Sequence, residues 1–318
     1  MYRKAFVIFG VLLFGSLFGQ NVGNYKEIVN NAYLLYKTKM YKESGLEYSK
    51  AFNSHKQLAK WEDRYNASCA YALANMSDSA FSNLFYIAKI NEFNLIESLS
   101  NDKDFKSLHN DLRWVELIEI VKDNRSVYES NLDNSLVSVL DTVLKTDQEI
   151  RQEYSRILEK YGSESDQLSV ITKVALYQDS LNLVIVKDIL DTHGWLGPKS
   201  ISENGSTALF LVIQHSNLET QIKYLPMLRD AVENGRAKPS SLAYLEDRIL
   251  TKQGKPQIYG SQLTIDEKTG NYCFYQIYKP EYVNIRRRDI GLSSIEEYAS
   301  KFNISWDLKN HKKRYSIK

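Results

Sequence analysis

The chain has 318 residues, enough for two domains with cores of their own. With 43% hydrophobic and 25% charged residues it is neither a disordered nor a fibrous sequence. Its 41 basic and 39 acidic side chains leave a net charge of +2, without the basic surplus that nucleic-acid binding calls for.

The first twenty residues, MYRKAFVIFGVLLFGSLFGQ, set Arg3 and Lys4 ahead of an apolar run from Ala5 to Phe18. That order reads as a signal peptide spanning residues 1–20 and cut near Gly19; the competing reading is an uncleaved anchor. Cleavage removes Arg3 and Lys4 and leaves 39 basic against 39 acidic residues, a neutral mature chain. The expectation is an exported protein, periplasmic or secreted, with no stable membrane span after cleavage. Cys69 and Cys273 fall in different halves and are expected to be free thiols.

From residue 24 to 124 the periodicity is helical and repeats. Ala32, Leu35, Ser44, Tyr48 and Ala51 return 36 residues later as Ser68, Tyr71, Ala80, Leu84 and Ile87. Small side chains let paired helices approach while large ones fill between them, and the pattern resembles a degenerate tetratricopeptide repeat. Leu95, Leu99, Phe105, Leu108, Trp114, Leu117, Ile118 and Val121 would form a closing helical pair. Such a unit implies a groove for a protein or peptide partner, or a packing platform. His55 and His109 stand among polar residues and are expected at the surface.

Asp123-Asn124-Arg125 ends the repeat, and a second domain is expected over residues 126–305. A helix from Val127 to Tyr161 carries Asp147 in its apolar stripe, with Arg151 one turn on. A second, from Asp166 to Thr192, carries Asp179 and Asn182 in the same way. A buried carboxylate without a partner costs several kcal/mol, so these acids are paired, hydrated or functional. ISENGS reads as a loop. Gln214 and His215 then close an apolar helix, and Ser216 with Glu219 suggests a capping box for the next. A neutral His215 at that junction could accept or shuttle a proton. Pro226 interrupts the following helix, which contains Gln221, and Pro239 to Gln253 form another with Asp247 and Arg248.

Gln257 to Ile265 and Asn271 to Tyr278 read as a β-hairpin, with Gly260 marking a bulge or a close approach. Tyr259, Gln257 and Gln262 line its first strand. Pro280 opens a short helix with Arg286 to Arg288, Ser293 or Ser294 caps another, and residues 306–318 read as a loose basic tail. The expected fold is therefore mostly α: helical repeats followed by a helical domain with one β-hairpin.

Several short motifs occur in order: DQxxR from Asp147, DxxN from Asp179, GWLG from Gly194, QH at Gln214, QxxYLP from Gln221, DR at Asp247, QxYGSQ from Gln257 and RRxxGL from Arg287. Together, over Leu136 to Leu292, they resemble a bacterial family of unknown function, number 6624. The resemblance implies a domain and no reaction.

HExxH, CxxC, GxSxG and phosphate-cradling glycine loops are missing, and no cofactor or metal is expected. Two readings follow. One is a cell-envelope binding or scaffold protein whose repeats hold a protein partner and whose second domain has a polar pocket for a small anionic or amide ligand. The other is a hydrolase-like enzyme with His215 as general base, oriented by Asp147, Asp179 or Asp247. In either, the ligand would meet Arg151, Asn182, Gln214, Gln221, Arg248, Gln257, Tyr259, Gln262 and Arg287.

Overall fold

The computed structural model describes residues 24–55, 59–266 and 269–316. The expected signal segment, residues 1–20, lies outside the described residues. The chain is mostly α-helical with one small antiparallel hairpin, and it divides into two compact units after Ser130.

In the first unit, helix α1 covers residues 24–37, α2 Tyr41–Ser54, α3 Trp61–Leu73 and α4 Ser77–Ile90. Nine of the ten repeat positions are buried; Leu35 is half-buried. Ser44 Oγ donates to the Ala32 carbonyl at 2.7 Å, a backbone approach that a large side chain would block. The period also holds in the turns. Lys39 and Asn75, 36 residues apart, both have positive φ. Behind them Met40 and Met76 donate to the carbonyls of Leu35 and Tyr71. One backbone solution closes both hairpins.

Helix α5 (Ile96–Asn101), a 3-10 turn (Lys103–Leu108) and α6 (Leu112–Ser130) complete the unit. Leu99, Phe105, Leu108, Trp114, Leu117 and Val121 are buried against α3 and α4, while Leu95 is exposed. Helix α6 runs through the expected boundary because the Asn124 amide, from mid-helix, donates to the carbonyls of Ala88 and Phe93. His109 is exposed and packs on Trp114. His55, expected at the surface, is buried against Tyr25.

The second unit opens with α7 (Asn134–Tyr161), which starts seven residues later than the sequence suggests. Asp133 caps it, its carboxylate accepting from the Ser135 and Leu136 amides. Then follow α8 (Asp166–His193), α9 (Pro198–His215), α10 (Leu218–Glu233) and α11 (Pro239–Lys252). Leu140, Val143, Val186, Ile189, Trp195, Leu209, Val212, Tyr224, Leu228 and Leu245 form the shared core of these five helices. Within ISENGS, expected as a loop, only Ile201 and Ser202 leave helical geometry, and Ser202 Oγ recaps the helix at Gly205. Gly205 lets α7 and α9 approach closely there: a Cβ would stand 3.2 Å from Leu140 of α7, which would have to give by a few tenths of an ångström. The cap of α10 is Asn217, accepting from Thr220, instead of Ser216, whose hydroxyl bonds back to Ile213.

Strands β1 (Leu263–Ile265) and β2 (Tyr272–Phe274) pair antiparallel, Thr264 opposite Cys273. The expected first strand is cut to three residues, since the amides of Ile258, Tyr259 and Ser261 point to the Asp247 carboxylate instead of a neighbouring strand. After the 3-10 turn Pro280–Tyr282 come α12 (Val283–Asp289) and α13 (Ile295–Ser300), the latter with a Ser294–Glu297 capping box. The expected loose tail instead forms α14 (Leu308–Arg314). Buried His311 accepts from the Ile277 amide, the Tyr315 hydroxyl donates to Phe274 O, and Arg314 pairs with Asp266. Cys69 and Cys273 are free thiols.

Candidate functional site

The polar side chains of the second unit sort into two networks. The first joins α7, α8 and α9. Asp147 is 1% exposed, and its carboxylate is met on several sides. His215 Nδ1 lies 3.1 Å from Oδ1, Arg151 Nη2 3.2 Å from Oδ1, and Gln148 Nε2 donates to Oδ2 at 2.8 Å. Burial alone would raise the Asp147 carboxyl; the hydrogen bond and charge of His215, with the Arg151 charge, outweigh it and hold the group below the ordinary aspartate value. Arg151 also bridges to Asp179 Oδ1 at 3.0 Å.

His215 Nδ1 is 3.1 Å from Arg151 Nε as well. One nitrogen cannot serve both neighbours in one protonation state. Bare, it accepts from Arg151 and places its proton on Nε2; protonated, it donates to Asp147 and leaves Nε2 as an acceptor. Asp147 keeps its Arg151 and Gln148 donors in either state. Among the described residues Nε2 has no protein partner, and the His215, Arg151 and Asp179 side chains are 21%, 28% and 27% exposed, so the cluster is partly open to solvent. Asn182 lies below it, its Oδ1 accepting from Thr146 and Gln178 while its buried Nδ2 has no partner.

The second network is sealed. Asp247, fully buried, accepts from the backbone amides of Ile258, Tyr259 and Ser261 at 2.6 to 3.2 Å. Burial pushes its carboxyl up, and the three amides only partly offset that. Gln257 ties residue 262 and Tyr275 through both ends of its amide. Arg287, 1% exposed, donates to the carbonyls of Ser293, Tyr259 and Gly260. Gly260, at φ +67, fits between Ile295 and Ile277, where a Cβ would stand 2.6 Å from one and 2.9 Å from the other. The close approach expected at this glycine is thus of core side chains. Gln257, Tyr259, Arg287 and Asp247 shape a loop, and Asp247 is not an orienter of His215; that contact belongs to Asp147.

Between the networks, Gln214 O accepts from Gln221 Nε2 at 2.8 Å and from Arg248 Nη1 at 2.9 Å. Arg248 Nε donates to Gln262 Oε1 at 3.0 Å, and Lys252 Nζ donates to Ser216 O at 3.0 Å. The two carbonyls flanking His215 are therefore each gripped by a cation. No carboxylate among the described residues pairs with Arg248. Burial lowers its affinity for a proton, and the Arg151 charge adds to that; burial and Arg248 do the same to Lys252. Lys252 was missed in the sequence, although its i,i+4 spacing from Arg248 on one helix face is a visible signal. Gln214 and Gln221 are buried with both Oε1 atoms unpaired.

Two hollows of the unit lie elsewhere. One, of about 150 Å³, is bounded by Trp195, Phe210, Leu228 and Lys238, and a wider groove follows the hairpin and α14 past Tyr272, Phe302, Trp306 and Arg314. In the first unit Cys69, Asp102 and Asp104 bring possible ligand atoms within 4.8 Å of one another. The Tyr65 and Tyr36 hydroxyls already donate to those carboxylates, and burial pushes the Cys69 thiol far up, which describes hydrogen-bonded packing.

The fold and these networks define a helical-hairpin unit followed by a helical unit with an open Asp–His–Arg cluster. The family described as a family of unknown function, DUF6624, matches residues 134–311, more than half of the chain. The chain belongs to that family. No curated protein and no solved structure matches it.

Proposed function

We propose that this is an exported cell-envelope binding or scaffold protein. In this reading the first unit, a degenerate tetratricopeptide-type repeat, takes a protein or peptide segment, and the family unit holds a small anionic ligand beside His215. Export rests on the apolar, cation-led N-terminal segment. The observation that carries the ligand is Arg248: half-buried, bound to two neutral oxygens, close enough to Arg151 to feel its charge, and without a carboxylate partner among the described residues. A desolvated guanidinium in that state favours a carboxylate or phosphate group, and Lys252, one turn along α11, adds a second cation at the carbonyl that follows His215.

Thermal shift and calorimetry with inorganic phosphate, succinate and neutral acetamide test it. The two anions are expected to raise Tm and acetamide to leave it unchanged; Arg248→Leu is expected to weaken the response at least about tenfold, the loss of one charged hydrogen-bond partner, and exposed Arg156→Leu to do nothing. Equal responses from Arg248→Leu and the unaltered chain would sink the reading. A second reading, hydrolase-like catalysis with His215 as general base, is favoured by the 3.1 Å Asp147 contact and the unpartnered Nε2. It requires that His215→Gln abolish turnover of a small ester or amide while leaving anion binding in place.

A further inference from the structure

Helix α8 leaves one apolar face without a partner. Val170, Val174, Tyr177, Leu181 and Val184 are between 43% and 69% exposed. Their spacing of four, three, four and three residues keeps them within about 80° of one another on a helix of 3.6 residues per turn. That is the seam of a two-helix coiled-coil contact, two residues in every seven. The buried residues of α8, Leu168, Ile171, Val186 and Ile189 among them, belong to the unit's own interior, so the exposed seam is additional to what the fold uses.

We infer that this face pairs antiparallel with the same face of a second copy of the chain. The charges bordering the seam select that arrangement. Asp166, Lys173, Ser180 and Lys187 lie seven residues apart along one border, and among the described residues none of the three charged ones has an ion-pair partner. In an antiparallel pair this border meets its own copy. One register sets Val174 against Tyr177 of the other copy and Val170 against Leu181, each contact occurring twice, and brings Asp166 beside the other copy's Lys187 at both ends.

Sliding one copy by a heptad puts Lys173 against Lys187 and Val170 against Asp188. A parallel pair sets Asp166 beside Ile171 and makes no ion pair. Opposite charges in one register and like charges in the next set alignment where aliphatic contacts would permit several. The seam supplies fewer side chains than the roughly 20 to 30 residues a side of a standard interface, so a dissociation constant on the order of 10 µM is expected.

Sedimentation of the full chain across 1 to 200 µM tests this. A reversible dimer is expected. Val174→Glu should weaken it more than about tenfold, since it buries an unpaired charge, with helicity by circular dichroism unchanged. Asp166→Lys and Lys187→Asp should each weaken it about fivefold, the scale of two surface pairs reversed, and the two together should restore it. Val170→Cys with Leu181→Cys should oxidise to a linked dimer, whereas either alone should not, because each cysteine faces the other position across the seam.

A chain that stays monomeric at 200 µM overturns the inference, whether the face is then covered by the apolar N-terminal segment or by a different protein. So does a double charge reversal no better than the single ones. Crosslinking of Val170→Cys alone would place the copies parallel and overturn the register.

Discussion

Asp147 and Asp247 are both buried aspartates on helices of one unit, and they do opposite things. Asp147 is met by side chains, His215, Arg151 and Gln148, that are themselves only partly buried, and its carboxyl is held down. Asp247 is met by three main-chain amides in a closed loop; its carboxyl is pushed up, and its role is to fix the path of residues 258–261. Burial of an acid therefore does not mark a site. What marks one is satisfaction by groups that themselves remain open.

The contrast can be broken most forcefully at the closed network. Asp247→Ala strands three amides at once, and at about 1–3 kcal/mol for each unsatisfied buried group the loss in urea unfolding should exceed about 4 kcal/mol. Asp147→Asn keeps its shape and leaves Arg151 paired with Asp179, so about 1–2 kcal/mol is expected. Similar losses from the two would erase the distinction.

Acid sharpens it. His311, buried and accepting from the Ile277 amide, is lowered from 6.5 to about 4 by desolvation, with the Arg314 charge adding to it. A depressed histidine is neutral in the fold while the unfolded chain takes up its proton near 6.5. Stability is thus complete above that pH and is lost as pH falls from 6.5 towards 4, by about 3 kcal/mol. Urea midpoints at pH 7.5 and 4.5 should differ, and His311→Gln, which keeps an acceptor, should shrink the difference.

The carboxyls then act with opposite signs. Lowered Asp147 withdraws stability as pH falls below its ordinary 3.8, and raised Asp247 gains stability as pH falls towards 3.8 from above. Asp147→Asn should therefore flatten the acid limb below pH 4, and an unchanged limb would contradict the assignment. The smallest effect is expected at the open edge: Asp179→Asn, removing a half-buried pair while Arg151 keeps Asp147, should change stability by about 1 kcal/mol or less.

Much of this molecule was legible in the chain. The 36-residue repeat fixed which residues of α1 to α4 are buried, because helical spacing and side-chain size are local properties. Asp147 and Asp179 stood out as acids in apolar stripes, and Arg151, one turn beyond, proved to join both. The failures have one cause. Gln257, Arg287 and Asp247 look like ligand-gripping residues for the reason that they grip something, and that something is the protein's own backbone, that of Tyr259 included. His311 was hidden in a basic run, although Trp306, His311 and Tyr315 gave it an aromatic spacing unusual for a free tail.

Sequence alone determined most of the helices, their buried stripes, the place of the hairpin and the family, since periodicity and motif order are written residue by residue. Tertiary structure alone decided which polar groups share a space. Asp147, Asp179 and His215 come together from three helices, and Asp247 is removed from them by a loop that returns eleven residues later to use its charge. Partners so far apart along the chain are chosen by packing, and packing has no local signature.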